Sequence, residues 1–228
     1  MNENVLTVNN LTKYFDVSHD REVSLKWHIA HIFKKKIKES EKVMIFENIS
    51  FSLKKGESIG LCGKNGAGKS TLLKVIAGLM KPSSGNVKVK GKMIPLISMG
   101  AGFSNELTGI ENLYINASLF GKTNKEIDQL YNSIVEFSGI ENFMDTKLKY
   151  YSSGMRARLS FAIAIHMEPD ILLADEVLAV GDKEFKDKCQ KKVEELRKNG
   201  MTLLYVSHDE KSVEKFCDRC IYLSRNNE

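Results

Sequence analysis

The stretch that decides the fold of this sequence is Gly63-Lys64-Asn65-Gly66-Ala67-Gly68-Lys69-Ser70. It matches the pattern G-x-x-x-x-G-K-[ST], in which glycines let the backbone curl so that successive N–H groups point at phosphate oxygens. An apolar run over 58–62 predicts a buried strand before the loop, and a helix is expected over 69–78 after it. The order strand, loop, helix therefore predicts a phosphate-binding loop. Lys69 is placed to reach the β- and γ-phosphates of a nucleotide, and Ser70 to ligate Mg²⁺.

The composition is that of a soluble globular chain of about one large domain. Its 228 residues are 42% hydrophobic and 28% charged, enough apolar material for a core. Lysine and arginine exceed the acids by 34 to 29, too small a surplus to argue for nucleic acid. No apolar stretch approaches the roughly 18 residues that span a bilayer, and residues 1–10 lack a signal-peptide core. We therefore expect a cytoplasmic protein.

The four cysteines fit a reduced compartment. Cys217 and Cys220 form a C-x-x-C near the C-terminus, with no second pair and no histidine at zinc spacing. Buried or incidental thiols are therefore expected rather than a zinc or redox site. Cys62, just before the phosphate-binding loop, is expected to pack inside.

Alternating strand and helix patterns predict a parallel sheet with crossover connections. A helical pattern is also expected over 112–138. The predicted strands lie at 5–8, 45–53, 58–62, 86–90, 93–97, 171–174 and 202–207, and the other predicted helices at 153–167 and 185–198.

Two further apolar strands end in polar groups. Asp175 and Glu176 follow the run 171–174, at the kind of strand end where an open α/β sheet places its ligand. Asp175 is placed to hold Mg²⁺ and Glu176 to act as general base towards water, although two acids here could also cap a turn. His208 follows the run 203–206 and could donate to a γ-phosphate, or could be a surface residue.

Tyr151-Ser152-Ser153-Gly154-Met155 opens the helix predicted over 153–167. Hydroxyls and a glycine at a helix N-terminus form a second anion site, although an ordinary serine N-cap gives the same pattern. One chain has no need of two phosphate sites. Two chains arranged head to tail would use both, each covering the nucleotide of the other.

With these motifs in this order, the chain resembles the ATP-binding subunits of ABC transporters over essentially all of its length. Residues 63–71 resemble their Walker A loop, 171–176 their Walker B strand, and 151–155 a variant of their L-S-G-G-Q signature. Gly181 and Asp182 fall in the stretch similar to their D-loop, and His208 resembles their switch histidine. Phe15, with Tyr14 as neighbouring candidate, falls where the family stacks an aromatic ring on adenine. The resemblance implies ATP contacts from Phe15, Gly63, Lys64, Asn65, Gly66, Ala67, Gly68, Lys69, Ser70 and Thr71, and contacts to the partner's ATP from Ser152, Ser153, Gly154 and Met155.

The resemblance implies a fold and a mode of action. We expect one α/β domain over 1–228: a P-loop NTPase with a RecA-like core, an N-terminal antiparallel β-subdomain and an inserted helical subdomain at about 99–153. Two subunits would sandwich two ATP molecules with Mg²⁺, held by Ser70 and Asp175, and would drive an integral membrane permease from the cytoplasmic face. Lys69, Glu176 and His208 would carry the hydrolysis.

The chain departs from the family pattern at two places. The family's Q-loop glutamine is missing from the matching stretch, residues 97–103, so water or Ser98 would take its place. In the signature, Ser153 replaces a glycine and Met155 a glutamine, which implies looser contacts.

These departures, and a long basic insertion at about 16–42, resemble the exporters of bacterial surface polysaccharides: O-antigen, capsule and wall teichoic acid. Within the insertion, residues 21–38 read as an amphipathic helix ending in Lys34, Lys35, Lys36 and Lys38. It is either a surface helix on the core or a basic helix at a membrane or partner. Some members of the group carry a further C-terminal glycan-binding domain. With its last residue at Glu228, this chain is expected to be either a subunit that naturally lacks such a domain or one from which the domain has been removed.

Two alternatives stay open at this point. The first is an ABC subunit for lipids, drugs or peptides. The second is a soluble ABC ATPase acting on ribosomes or DNA, which the single phosphate-binding loop and the lack of a heptad arm disfavour. A small-molecule kinase would not explain the stretch 152–155.

Overall fold

The computed structural model describes residues 3–17, 41–97, 100, 102–175, 182–207 and 210–223. Eight strands and six α-helices occur in these ranges. The strands are β1 (Asn4–Val17), β2 (Glu41–Lys54), β3 (Ser58–Cys62), β4 (Ser84–Val89), β5 (Met93–Pro95), β6 (Ile171–Asp175), β7 (Thr202–Val206) and β8 (Arg219–Tyr222). The helices are α1 (Lys69–Ile76), α2 (Gly109–Leu119), α3 (Asn124–Ser138), α4 (Ser153–His166), α5 (Lys183–Lys198) and α6 (Glu210–Phe216). Two short 3-10 helices cover Glu141–Phe143 and Leu148–Tyr150.

The first sheet is antiparallel, in the order β2-β1-β4. Val17 pairs with Glu41, so the ladder of β1 and β2 runs to the residues that border the insertion. Lys13 pairs with Phe46 and Tyr14 with Met44, which leaves Ile45 as one extra residue on β2. This β-bulge increases the local bend of the strand.

The second sheet is parallel, in the order β5-β6-β7-β3-β8. Leu61 of β3 pairs with Val206 of β7, and Val206 pairs with Asp175 of β6. The carboxyl ends of these three strands therefore lie at one level and at one edge of the sheet, and the residues that follow each strand begin there.

The parallel sheet is buried on both faces. Leu172, Ala174, Leu203 and Tyr205 pack into a core with α2 to α5. Their sequence neighbours, such as Leu173 and Leu204, pack into a second core with β1, β2 and α1. Because both faces are covered, these strands read as continuous apolar runs rather than alternating ones.

The helical pattern over 112–138 is two helices rather than one, which corrects the sequence expectation. Thr108 caps α2 and Thr123 caps α3, each in a capping box with the glutamate three residues later. The second capping box marks the start of α3, shortly after Gly121. The pattern T-x-x-E at 123–126 was the available signal, since it marks a helix start.

Two elements were not foreseen, and one is longer than predicted. β1 extends from Asn4 to Val17 instead of ending near residue 8, and α6 and β8 have no counterpart among the predictions. Polar residues on β1 hide it from a pattern search, because this sheet presents part of its surface to solvent.

The expectation of four thiols was wrong for two of them. Cys62 and Cys220 form a disulfide, while Cys189 and Cys217 are free. The two bonded residues lie on adjacent parallel strands, Cys62 at the end of β3 and Cys220 within β8, a proximity that their separation of 158 residues in sequence does not reveal. Burial raises the pKa of each free thiol to about 12, so both are protonated at neutral pH.

Within the described ranges, no helix has both the length and the apolar character needed to cross a membrane.

Candidate functional site

The loop between β3 and α1 has the geometry of an anion cradle. β3 is buried along its whole length and ends at Cys62. Gly68 is the N-cap of α1 and adopts the left-handed conformation, with φ 90°. Since glycine brings no side-chain oxygen, it leaves the first N–H groups of the helix without a side-chain cap, as a helix N-terminus that receives a phosphate requires.

Lys69 is held against the loop. Its Nζ donates to the carbonyl oxygens of Gly63, at 2.5 Å, and Lys64, at 3.1 Å. The side chain is buried, and a buried ammonium needs acceptors. Phosphate oxygens would supply stronger, charge-assisted ones from the mouth of the same loop. The neighbouring Ser70 is exposed beside it.

The bulge in β2 packs on this loop. A Cβ atom placed on Gly68 would lie 2.8 Å from Cγ2 of Ile45. Ile45 is the extra residue of the bulge, so the antiparallel sheet contacts the loop through this irregularity. Sequence reasoning did not single out Ile45, and an alternating strand pattern carries no signal for a bulge.

The predicted adenine-stacking residue lies on the same sheet. Phe15 pairs with Val43 of β2, two residues from Ile45. Its side chain is 38% exposed, and Nζ of Lys13 lies 5.0 Å from the ring centroid. Tyr14, the alternative candidate, has Nζ of Lys42 at 4.5 Å from its ring centroid.

Asp175 ends β6 two strands away from the loop, level with Leu61. Neighbouring strands lie about 4.8 Å apart, so the end of β6 and the start of the loop share one edge of the sheet. Ser207, which sequence reasoning passed over, follows β7 between them and is buried.

The stretch that replaces the family's Q-loop starts at this edge as well. Leu96 donates its N–H to the carbonyl of Leu173 on β6 at 2.7 Å. Farther along, the N–H of Gly100 donates to Oγ of Ser160 on α4 at 3.0 Å. The stretch is therefore tied to the helix that follows the signature motif, a link that the sequence did not indicate.

The signature motif forms the N-terminus of α4. Ser152 is the N-cap, and its Oγ accepts from the N–H of Met155 at 3.1 Å. Ser152 and Ser153 are exposed, and Gly154 and Met155 are half-buried. Tyr151 anchors the motif from behind: its buried hydroxyl donates to the carbonyl of Phe143 at 2.7 Å, and burial raises its pKa to about 12.

Asp182 is the N-cap of α5. Its Oδ1 accepts from the N–H of Phe185 at 2.9 Å. This bond, with the nearby charge of Arg158, holds the pKa of Asp182 below its ordinary value, so the cap is a carboxylate at neutral pH.

Several predicted site residues lie outside the described ranges. They are Glu176, Gly181, His208 and Ser98, together with the insertion helix expected over 21–38.

A glycine-rich loop between a central parallel strand and a helix, beside an acidic strand end, defines a P-loop NTPase, which confirms the predicted fold class. The model of one P-loop family, described as ABC transporter, matches residues 46–179. The chain belongs to the ABC transporter family.

Two of the named relatives belong to different export systems. The chain is 42% identical over 227 residues to the O-antigen export system ATP-binding protein RfbB of Klebsiella pneumoniae, covering 98% of this chain and 92% of that protein. It is 47% identical over 177 residues to the teichoic acids export ATP-binding protein TagH of Lactococcus lactis subsp. lactis. That match covers 78% of this chain and 38% of TagH.

A solved structure supports the fold. An ATP-binding cassette in a dimeric post-hydrolysis state, bound to ADP and Pi, superposes with a TM-score of 0.76. It is 22% identical, and the match covers 96% of this chain and 94% of the cassette. The predicted ABC-type ATPase is therefore confirmed in fold and family.

Proposed function

We propose that the chain is the ATP-hydrolysing subunit of an exporter that moves a lipid-linked polysaccharide, such as O-antigen, capsule or teichoic acid, across the cytoplasmic membrane. The loop at 63–70 is the observation that carries the ATPase part, since it joins a buried strand to an uncapped helix N-terminus. The names of the relatives support the substrate class, because two different surface polymers appear among them.

The described donors fit a nucleotide with Mg²⁺. The loop offers backbone N–H groups and one buried ammonium, Lys69, which suits a polyphosphate. Ser70 and Asp175 offer oxygen ligands, which Mg²⁺ prefers. When bound, Mg²⁺ would offset charge on the phosphate oxygens. Lys69 would turn from the carbonyls of Gly63 and Lys64 to the β- and γ-phosphates.

The remaining roles follow the motif assignments. Glu176 activates the attacking water and His208 helps to position it, while Phe15 stacks on adenine. The other loop residues, Gly63 to Thr71, line the phosphates. Ser152, Ser153, Gly154 and Met155 contact the nucleotide of a second copy, with Gly181 and Asp182 at the same dimer interface. ATP thus closes a homodimer and hydrolysis reopens it.

We also propose the domain organisation and the membrane partner. The helices between about 99 and 153 form the helical subdomain of a single domain over 1–228. An apolar groove of about 200 Å³ lies where this subdomain meets the core, lined by residues such as Leu79, Phe103 and Leu119. Leu79 is 59% exposed and Leu119 is 70% exposed. An apolar segment on the cytoplasmic side of the permease fits this groove, so the chain would act as a peripheral subunit there.

The ATP site is tested by Lys69→Ala. Phosphate release by the purified chain should fall at least about 100-fold, as expected when a transition-state donor is removed. Lys74→Ala is the matched control, because Lys74 is exposed on the same helix, in its last turn, and should leave hydrolysis unchanged. Normal hydrolysis by the Lys69→Ala chain would overturn the site.

The substrate class is tested in the host organism. Introducing Lys69→Ala into the gene should deplete surface polysaccharide and accumulate lipid-linked polymer inside, whereas the Lys74→Ala gene should export normally. Unchanged surface polymer, with loss of another transported compound, would favour an exporter of lipids, drugs or peptides. A ribosomal or DNA-repair defect instead would favour a soluble ABC ATPase.

The basic insertion at about 16–42 is proposed to act at the membrane or the permease. Exchanging Lys34, Lys35, Lys36 and Lys38 for glutamine should lower export in the same assay more than hydrolysis by the purified chain. Equal loss of both would favour a folding role.

A further inference from the structure

Arg158 joins the signature helix to two neighbouring helices. It lies on α4, six residues after Ser152. Its Nη2 donates to Oδ2 of Asp182 at 2.5 Å, which reaches the start of α5. Its Nη1 donates to the carbonyl of Ser138 at 3.4 Å, which reaches the end of α3. Its guanidinium carbon lies 4.6 Å from the ring centroid of Phe185.

Both oxygens of Asp182 are engaged. Oδ1 accepts from the N–H of Phe185 and caps α5, while Oδ2 accepts from Arg158. Arg158 thus contacts both the N-cap residue and, through the Phe185 ring, the third residue of the same helix. These two contacts fix both the position and the direction of the α5 N-terminus relative to α4. A single point charge would not fix the direction.

The surroundings are shaped to admit this side chain. Gly139 ends α3 in the left-handed conformation, and a Cβ atom there would lie 3.2 Å from Nη1 of Arg158. Arg158 and Lys188 line one pocket of about 150 Å³. Lys188 donates to the carbonyls of Glu136 and Phe137, both at 3.1 Å, so it binds the end of α3 instead of the α5 cap.

The charge attraction between Arg158 and Asp182 contributes little to the fold, because solvent reaches the Asp182 carboxylate. The side chain of Asp182 is 62% exposed and that of Arg158 is 23% exposed. Exposed ion pairs add little to the free energy of unfolding. The pair is better explained by the two parts of the chain that it connects. One is α4, which begins at the signature motif. The other is Asp182, the residue at which the chain is again described after β6 ends at Asp175.

We propose that Arg158 is a positioning residue of the ATPase, which ties the signature helix to Asp182 so that the two move together. The segment between Asp175 and Asp182 includes Glu176, the proposed general base, so the inference rests on the proposed function. By binding Asp182, Arg158 fixes the position of the end of that segment relative to Ser152. In the proposed dimer, Ser152 faces the nucleotide of the second copy. Loss of the tie lowers turnover and leaves nucleotide binding by the phosphate-binding loop intact.

The test compares Arg158→Gln, Asp182→Asn and the double variant of the full chain. Asp182→Asn keeps an oxygen that can cap α5 and removes the charge that Arg158 binds, so the helix start is preserved. We expect each single variant to lower kcat for ATP about tenfold, and the double variant to lower it no further, because coupled residues are not additive. KM, and binding of a fluorescent ATP analogue, should change less than about twofold. Arg158→Lys should lower kcat less than Arg158→Gln does, since lysine keeps the positive charge but lacks the paired N–H donors of the guanidinium group.

Lys188→Met is the matched control, since it removes the neighbouring cation that binds α3, and it should leave kcat unchanged. Additive losses in the double variant, an equal loss with Lys188→Met, or a parallel loss of nucleotide binding would each overturn the positioning role. Lys69→Ala separates the two proposals. If it abolishes hydrolysis and Arg158→Gln does not change kcat, only the positioning role fails. If Lys69→Ala hydrolyses ATP normally, both fail.

Discussion

Two glycines of the phosphate-binding loop share a positive φ but differ in their surroundings. Gly63 has φ +141°, and a Cβ there would lie 2.5 Å from the carbonyl oxygen of Leu223, the residue after β8. Gly66 has φ +81° and no atom within 4 Å of such a Cβ. Glycine is needed at position 63 because the backbone that follows β8 approaches closely. At position 66 it is needed only because of the backbone conformation.

We expect Gly63→Ala to be far more harmful than Gly66→Ala. Gly66→Ala should lower the free energy of unfolding by about 1 kcal/mol through backbone strain. Gly63→Ala adds a clash with backbone that cannot move aside, and should cost about 3 kcal/mol or more. Urea unfolding of both variants measures the difference. Equal losses of unfolding free energy would show that the close approach of Leu223 does not require glycine at position 63.

At the scale of single residues, the sequence predicts groups that belong to a spaced motif. Lys69 and Ser70 could be proposed as site residues because phosphate chemistry imposes the spacing of their loop, and Asp175 because it ends an apolar strand. Ile45 and Arg158 could not be found, because their roles come from a bulge and from a contact between helices distant in sequence.

Helix starts are the informative features at the scale of elements. Ser152 caps α4 and Thr123 caps α3, but only the first lies in a motif assigned to nucleotide binding. The Ser152 hydroxyl has one donor and two acceptor lone pairs, and the cap uses one lone pair. In the proposed dimer, the donor could therefore bind a phosphate held by the second copy while the helix stays capped.

Ser152→Asp separates these two roles. Aspartate caps helices as well as serine, so the free energy of unfolding should change by less than about 0.5 kcal/mol. In the proposed dimer its negative charge would face the γ-phosphate of the second copy, so ATP-dependent dimerisation should be lost. Light scattering with ATP, in a Glu176→Gln background in which slow hydrolysis accumulates the dimer, measures this.

Ser152→Asn is the control for the charge, since asparagine also caps helices but is neutral. It should dimerise where Ser152→Asp does not. If both variants dimerise with ATP, Ser152 does not face a nucleotide. A monomer in the Glu176→Gln background itself would contradict the sandwich.

The elements were predicted well where they are buried and poorly elsewhere. β3, β6 and β7 were located to within a residue or two, because strands buried on both faces are apolar along their whole length. The extent of β1 and the break between α2 and α3 were missed. Exposed strands and short helix-to-helix turns depend on polar residues, whose pattern is weaker.

At the scale of the whole molecule, the apolar groove proposed as the permease site offers a way to separate export from hydrolysis. Leu119 projects into it and is largely exposed, so it adds little to the core. The proposed phosphate-binding loop lies between β3 and α1, away from Leu119. A change at Leu119 should therefore act on the partner rather than on the ATP site.

We expect Leu119→Glu to abolish polysaccharide export in the host while hydrolysis by the purified chain stays within about twofold of normal, as for surface substitutions. A buried carboxylate in an apolar interface is strongly unfavourable. Phe143→Glu is the control, because Phe143 is 48% exposed outside the groove. Normal export with Leu119→Glu would exclude the groove as the permease site.

The paired ends of β1 and β2 have a consequence for how the chain can vary in length. Because Val17 pairs with Glu41, residues 18–40 leave and rejoin the ladder at neighbouring positions. Closing a longer excursion there costs only about 0.6 kcal/mol for each doubling of its length. A protein engineer could therefore exchange this stretch for a reporter domain at small cost in stability, and the reporter would join the fold close to Phe15, the residue proposed to stack on adenine.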